Sequence, residues 1–211
     1  MLVVRETLPI VLGYVLGSTP WGYWLPRVFK GVDIRRVGSG NVGAANVWRR
    51  FGLRFGLTVA VLDVAKGAAA ALVGVWLGGE LIGVLAGVAA LVGHWRPVFL
   101  GFARGGKVVA TTAGVTFALA PFAALAASAV WIAAFLLGRY SSVASLAAAA
   151  ALPPLALAFG ADAPVLAFTI GASVAILVLH RTNIRRLVAG SEHRFAFSLR
   201  PARGRRFSSQ E

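Results

Sequence analysis

The sequence predicts an all-α membrane protein of seven transmembrane helices, with the amino terminus outside the cell and the carboxyl terminus in the cytoplasm. Three observations carry that prediction. Hydrophobic residues fill 58% of the 211 positions and charged residues only 13%, a balance outside the soluble range. The apolar residues fall into seven runs near the length a bilayer crossing needs, about 20 residues, or fewer inside a bundle. Nineteen of the 21 lysines and arginines sit on alternate connections between those runs, as the positive-inside rule requires of a cytoplasmic face.

The first run covers residues 8–25. Arg5 and Glu6 precede it, but it has no Ala-x-Ala-like cleavage site and continues to Trp24, so it reads as a helix of the mature protein. The second, Gly56 to Leu77, carries Asp63 and Lys66 three residues apart, and a structural ion pair is the expectation at that depth. The third, Leu81 to Trp95, is short and rich in Gly and Ala, which suits close packing on other helices. The stretch Val108 to Leu137 is too long for one crossing, and Pro121 divides it into a fourth and a fifth. The sixth is Val143 to Phe159, Gly160, Asp162 and Pro164 make a turn, and the seventh is Val165 to His180. Residues 1–192 read as one integral membrane domain and 193–211 as a basic, polar cytoplasmic tail.

Charge fixes the parity of this parse. The connection 26–54 holds Arg27, Lys30, Arg35, Arg36, Arg49, Arg50 and Arg54; the connection 96–107 holds Arg96, Arg104 and Lys107; Arg139 marks a third. Eight more arginines follow from Arg181 onward, while the connections at 78–80, around Pro121 and at 160–164 carry none. Six or eight crossings would put those eight arginines on the wrong side, so seven is favoured. The net charge of +14 therefore reads as topology in a multi-pass cell-membrane (inner-membrane) protein rather than as a nucleic-acid surface, because it is grouped beside apolar runs. The chain has no cysteine, which removes disulfides, thiolate ligands and a cysteine nucleophile.

Three clusters share the cytoplasmic face. In the first connection, VGSGNVGAANVWRR spells G-x-G-x-x-G with Gly38, Gly40 and Gly43, but no strand precedes it, so a dinucleotide fold is rejected. What remains is a loop whose backbone is free to approach a ligand, with Ser39, Asn41 and Asn46 as neutral hydrogen-bonding groups and Arg49 as a fork for phosphate. The second cluster is GHWRPVFLGFARGGKVVATTAG, residues 93–114. Gly105 and Gly106 open the backbone to an anion and Lys107 supplies charge; Gly101 to Lys107 even matches G-x-x-x-x-G-K. A nucleotide loop then needs Ser or Thr for magnesium, and Val108 stands there, so a phosphate cradle without metal is the reading. His94 could be a base or simply a hydrogen-bonding group at a helix end. The third cluster is HRTNIRRLVAGSE, where His180 and Asn183 are spaced to share a helix face and the arginines also suit lipid headgroups. A smaller patch places Ser142 and Ser145 one turn apart, with the alternative that each only bonds its own backbone.

Taken together, SGNVGAANVWR, DVAKG, GHWRPVF with RGGK and VAT, and HRTNIRRLVAGSE resemble the acyl-phosphate-dependent glycerol-3-phosphate acyltransferases of bacterial membranes, over residues 13–192 and with matching order and spacing. The resemblance implies a seven-helix enzyme that moves an acyl chain from acyl phosphate to the 1-hydroxyl of glycerol 3-phosphate, releasing lysophosphatidic acid and inorganic phosphate. It implies a substrate loop of Ser39, Gly40, Asn41 and Asn46, phosphate neutralised by Arg49 and Lys107 on the Gly105–Gly106 turn, and a pocket completed by Ser145, His180 and Asn183; Ser142, one turn from Ser145, joins the substrate-binding candidates. Of these, Ser39, Arg49, Lys107, His180 and Asn183 are the catalytic candidates. No cofactor and no metal are expected; the partners are the two substrates and membrane lipid. Two departures stand out: Ala45 replaces the family's usual threonine, and Val108 replaces the glycine of GGKGVAT, with one extra residue at Ala103–Arg104 before the glycines.

Acyl phosphate is a mixed anhydride with a good leaving group, so such a site needs no covalent nucleophile, only orientation and charge. The histidines lack an aspartate five residues on, since Phe99, Arg185 and Ser198 stand there, which excludes the His-x4-Asp acyltransferase type. Either His180 or a substrate phosphate oxygen could take the hydroxyl proton, and the phosphate is preferred. A transporter for an organic phosphate is the rival from another class, but it predicts polar groups on both faces. A CDP-alcohol phosphotransferase would need clustered aspartates, and Asp33, Asp63 and Asp162 are scattered.

Overall fold

The computed structural model describes residues 2–195, with side chains described from Glu6 onward. Residues 196–211 of the expected tail lie outside the described residues. Ten α-helices make up the described chain: α1 (Leu2–Gly17), α2 (Trp21–Lys30), α3 (Ala44–Phe51), α4 (Leu53–Gly78), α5 (Glu80–Trp95), α6 (Val109–Leu119), α7 (Pro121–Gly138), α8 (Ser141–Ala158), α9 (Ala163–Leu179) and α10 (Arg181–Val188).

Each of the seven apolar runs is helical, and Pro121 does begin a new helix, α7, directly after Ala120. The first run departs from expectation: it is two helices broken at Ser18–Pro20. Proline has no N–H to continue the ladder and disfavours the helical conformation of Thr19 before it. The stretch 37–50 departs as well, because its second half is the helix α3 rather than loop. Among the described residues, four segments are long and apolar enough to cross a bilayer: α4, Glu80–Leu100, α7 and α8. The pair α9 and α10, bent by 54°, makes a fifth where it counts as one span. Helix α6 has 11 residues, which at 1.5 Å per residue reaches about 16 Å.

Helix α4 is the hub, packed against α1, α3, α5 and α6, while α7, α8 and α9 form a second row. Small residues bring the backbones together. A Cβ on Gly114 would lie 1.9 Å from the Val64 carbonyl oxygen, and one on Gly17 would lie 2.1 Å from that of Ala90. In a bilayer, where lipid is as apolar as leucine, such close contact is what drives helix association. The Gly- and Ala-rich third run uses it on two neighbours, on α1 through Ala86, Ala90 and Gly93 and on α4 through Gly83.

Candidate active site

A cavity of about 400 Å³ lies between α3, α4 and α6 on one side and α7, α8 and the α9–α10 bend on the other. Its walls are apolar along Leu53, Leu57, Ala60, Ala124, Ile132 and Leu152. One end is polar: Ser39, Asn41, Asn46 and Arg49 come from the first connection and α3, Lys107 from the glycine turn, Ser142 and Ser145 from α8, and His180 and Asn183 from the bend, while Asp63, His94, Thr112 and Thr116 also line the cavity from α4, α5 and α6. Gly40, Gly105 and Gly106 do not line it; they shape the backbone behind it.

The first connection is held from within. Asp33 accepts from the Arg35 backbone N–H at 3.0 Å and so starts a short 3₁₀ turn, Ile34–Arg36. Asn46 is buried on α3, accepts from the Ser39 N–H at 3.0 Å and donates to the carbonyls of Val37 and Asn41, each at 3.0 Å. Its amide is therefore spent on the loop, and it acts on the cavity by placing Ser39. Asn41 accepts from the Gly43 N–H at 2.8 Å, an Asx turn that leads into α3. Gly40 sits at φ 69°, in the left-handed region, where a side chain would be strained.

The Lys107 turn is tied to the end of α5. Gly105 N–H donates to the Trp95 carbonyl at 2.8 Å and Gly106 N–H to the His94 carbonyl at 3.0 Å. Both amides face protein, so the charge of this turn is delivered by the Lys107 side chain rather than by a nest of free N–H groups. Lys107 Nζ donates to Asn183 Oδ1 across the cavity. Burial lowers the pKa of Lys107 to about 8; the Glu192 charge opposes the shift, and Arg186, Arg104 and Arg49 add to it. Val108, the departure from glycine, takes φ 58° and caps α6. The left-handed conformation costs about 1–2 kcal/mol, and burying a valine side chain returns roughly 1.5–3 kcal/mol. Val108 is 2% exposed in the core it shares with α5, α6 and α9, so the two nearly offset.

At the bend, His180 Nδ1 lies 2.8 Å from the Ile176 carbonyl oxygen. A carbonyl only accepts, so Nδ1 carries the hydrogen and Nε2 keeps its lone pair. His180 stands at the break between α9 and α10, its carbonyl accepting from the Ile184 N–H at 2.9 Å, and Asn183 follows on the first turn of α10, so both reach the cavity. Ser145 donates to the Ser141 carbonyl at 2.7 Å and accepts from Trp131 Nε1 at 3.2 Å, which is the backbone-bonding alternative for this serine. Ser142 instead donates to Glu192 at 2.9 Å.

Glu192 is the residue that sequence reasoning did not select. It receives Ser142 and Asn183 (2.6 Å) on Oε1 and Arg186 (2.7 Å) on Oε2, with its side chain 4% exposed. Burial works to raise its pKa, but hydrogen bonds from Asn183, Arg186 and Ser142 outweigh it and hold the carboxyl below its ordinary value. The available signal was scarcity: a chain with only seven acidic residues places one just beyond its arginine-rich third cluster. Phe195, at the start of the expected tail, is the other omission. Its N–H donates to the Arg139 carbonyl at 2.8 Å, and its ring packs on Trp48 and Phe135 with the Arg49 guanidinium 5.0 Å from its centre.

A glycerol-3-phosphate acyltransferase family model matches residues 7–190. A glycerol-3-phosphate acyltransferase from Desulforudis audaxviator is 47% identical over 199 residues, covering 93% of this chain and 99% of its own. The chain belongs to the glycerol-3-phosphate acyltransferase family. An Aquifex aeolicus member is 44% identical over 190 residues, covering 88% of this chain and 97% of its own. Two crystal structures of PlsY, an integral membrane glycerol 3-phosphate acyltransferase, superpose on it. The glycerol 3-phosphate form has a TM-score of 0.86 at 41% identity and the lysophosphatidic acid form 0.84 at 40%, each covering 90% of this chain and at least 95% of its own. The family match stops two residues short of Glu192, although Glu192 reaches Asn183 and Ser142 inside the matched region.

Proposed function

We propose that this protein is an integral membrane enzyme that transfers an acyl chain from acyl phosphate to the 1-hydroxyl of glycerol 3-phosphate, yielding lysophosphatidic acid and inorganic phosphate. The observation that carries the reading is a single cavity with apolar walls and one cationic, hydrogen-bonding end, suited to a molecule that is a hydrocarbon chain at one end and a phosphate at the other. Membership of the family supports the acceptor and product, and argues against transport of an organic phosphate.

Arg49 and Lys107 neutralise the phosphate oxygens, and Ser39 donates a hydrogen bond to them. His180 Nε2 accepts from the glycerol hydroxyl and aims its oxygen at the acyl carbon. That oxygen attacks, the bond from acyl carbon to phosphate oxygen breaks, and the hydroxyl proton passes by way of His180 Nε2 to the departing phosphate oxygen, so the ring ends neutral as it began. Because inorganic phosphate departs readily, positioning and charge supply the rate and no acyl-enzyme is needed. Seven crossings, by the helices that carry the seven apolar runs, put the site and its arginines on the cytoplasmic side of the cell membrane with the amino terminus outside.

Purified protein supplied with palmitoyl phosphate and glycerol 3-phosphate will form lysophosphatidate with stoichiometric phosphate release. Folded protein that releases no phosphate under those conditions would overturn the assignment. The pH profile adds a second check. The kcat/KM for glycerol 3-phosphate will rise as pH climbs through about 6, where a phosphate monoester gains its second charge. It will fall as pH passes about 8, where Lys107 in the free site loses its proton. The Lys107→Ala variant keeps the rising limb and loses the falling one; an unchanged upper limb would assign that titration elsewhere.

A further inference from the structure

Beside the residues described above, α4 and α5 bury a second group of ionisable side chains, of which Asp63 and His94 also line the cavity. Asp63 and Lys66 face each other at 2.8 Å, both nearly inaccessible, which makes the expected ion pair. Lys66 Nζ also donates to the Thr19 carbonyl at 2.8 Å, at the break between α1 and α2. The break leaves that carbonyl outside the helix ladder, where it accepts from the Trp21 N–H at 3.1 Å as well as from the ammonium. His94 Nδ1 lies 3.6 Å from the same Asp63 oxygen, in contact but beyond hydrogen-bond length.

The other edge of the His94 ring faces the Lys107 turn. A Cβ built on Gly106 would lie 2.0 Å from His94 Nε2 and within 3 Å of both neighbouring ring carbons. The imidazole therefore rests on the Gly106 backbone, one residue before Lys107. The His94 carbonyl holds the Gly106 N–H at 3.0 Å, so residue 94 fixes the turn from its side chain and from its main chain. The Asp63–Lys66–Thr19 contacts tie α4 to the break between α1 and α2, and the ring that leans on that point sets the path of the turn.

We propose that His94 is a positioning residue whose ring, wedged between Asp63 and Gly106, determines where Lys107 presents its ammonium group. The proposal rests on the reading that Lys107 binds substrate phosphate. It also gives Gly106 a reason to be glycine that is independent of anion binding: the space a side chain would take is occupied by the ring. Gly106 has no positive φ, so the backbone itself would accept alanine.

That separation makes a size-swap experiment decisive. Gly106→Ala will lower kcat/KM for glycerol 3-phosphate at least tenfold, because the new methyl group displaces the ring and the turn with it. His94→Ala will lower it several-fold by leaving the turn unsupported. The double variant, with the methyl group in the space the ring vacated, will be more active than Gly106→Ala alone. Losses that multiply in the double variant would overturn the proposal, since a generally weakened fold gives that result. Thermal unfolding of each variant accompanies the kinetics, and His94→Asn replaces His94→Ala in the same comparison where the alanine protein does not fold. Lys107→Ala separates the two levels of the argument. Near-normal activity in that variant removes the phosphate reading itself, whereas an inactive Lys107→Ala with multiplicative His94 and Gly106 losses removes only the positioning role.

Discussion

Lys107→Ala will lower kcat/KM for glycerol 3-phosphate by about 10²–10³-fold, the effect of deleting one preorganised charge from a water-poor site. The side chain is the turn's only contribution to the cavity, because the flanking glycine amides are bonded to the end of α5. Its removal also leaves Asn183 Oδ1 without its donor. Lys107→Arg will not restore the rate, since a planar guanidinium is longer and wider than the ammonium and the path of the turn is fixed by its bonds to His94 and Trp95. Arg49→Ala is the companion test and will cost about 10–100-fold, the worth of one charge-assisted hydrogen bond of about 1.5–3 kcal/mol. Steady-state kinetics in detergent, with membrane insertion of each variant verified, reads both numbers. Near-wild-type rates for both substitutions would remove the phosphate site from this end of the cavity.

The helices were legible because lipid selects for composition: seven apolar runs and nineteen aligned cations leave few parses. Pro121 could be read as a break since its chemistry is local. The break at Pro20 was missed for the same stretch of physics, because an apolar run continues through it and the lysine that donates to the Thr19 carbonyl is 47 residues away. Among the cavity residues, Arg49, Lys107, His180 and Asn183 were found because polar groups beside membrane helices stand out against their background. Asn46 was found too, but its role differs in kind: buried amides that bind loops and exposed amides that bind ligands look alike in one dimension. Glu192 has two partners nearby in sequence, Asn183 and Arg186, but its third, Ser142, is 50 positions distant, and Phe195 meets Arg49, 146 positions away, only when the chain folds back after α10.

Glu192→Gln will lower kcat by about 10–100-fold without raising KM for glycerol 3-phosphate. Two effects compete. The carboxylate is a negative charge beside Arg49 and Lys107 in the proposed phosphate site, so neutralising it raises the positive field and favours phosphate. It is also the acceptor for three donors, Ser142, Asn183 and Arg186. Glutamine supplies one acceptor oxygen and an NH₂ group, which must then face a donor. Losing one charge-assisted bond and leaving its partner unpaired costs about 2–3 kcal/mol, more than the field gains at a site open to substrate. The consequence falls on Asn183, which Glu192 holds from one side while Lys107 holds it from the other. Freed from the carboxylate, Asn183 no longer fixes the ammonium opposite the reacting groups, so substrate binds and is poorly oriented. The same loss will lower the unfolding temperature, and Glu192→Ala will lower it further because Arg186 is then left without its partner. A Glu192→Gln protein with raised KM and unchanged kcat would instead make the carboxylate part of the binding surface, and the Asn183 linkage would have to be abandoned.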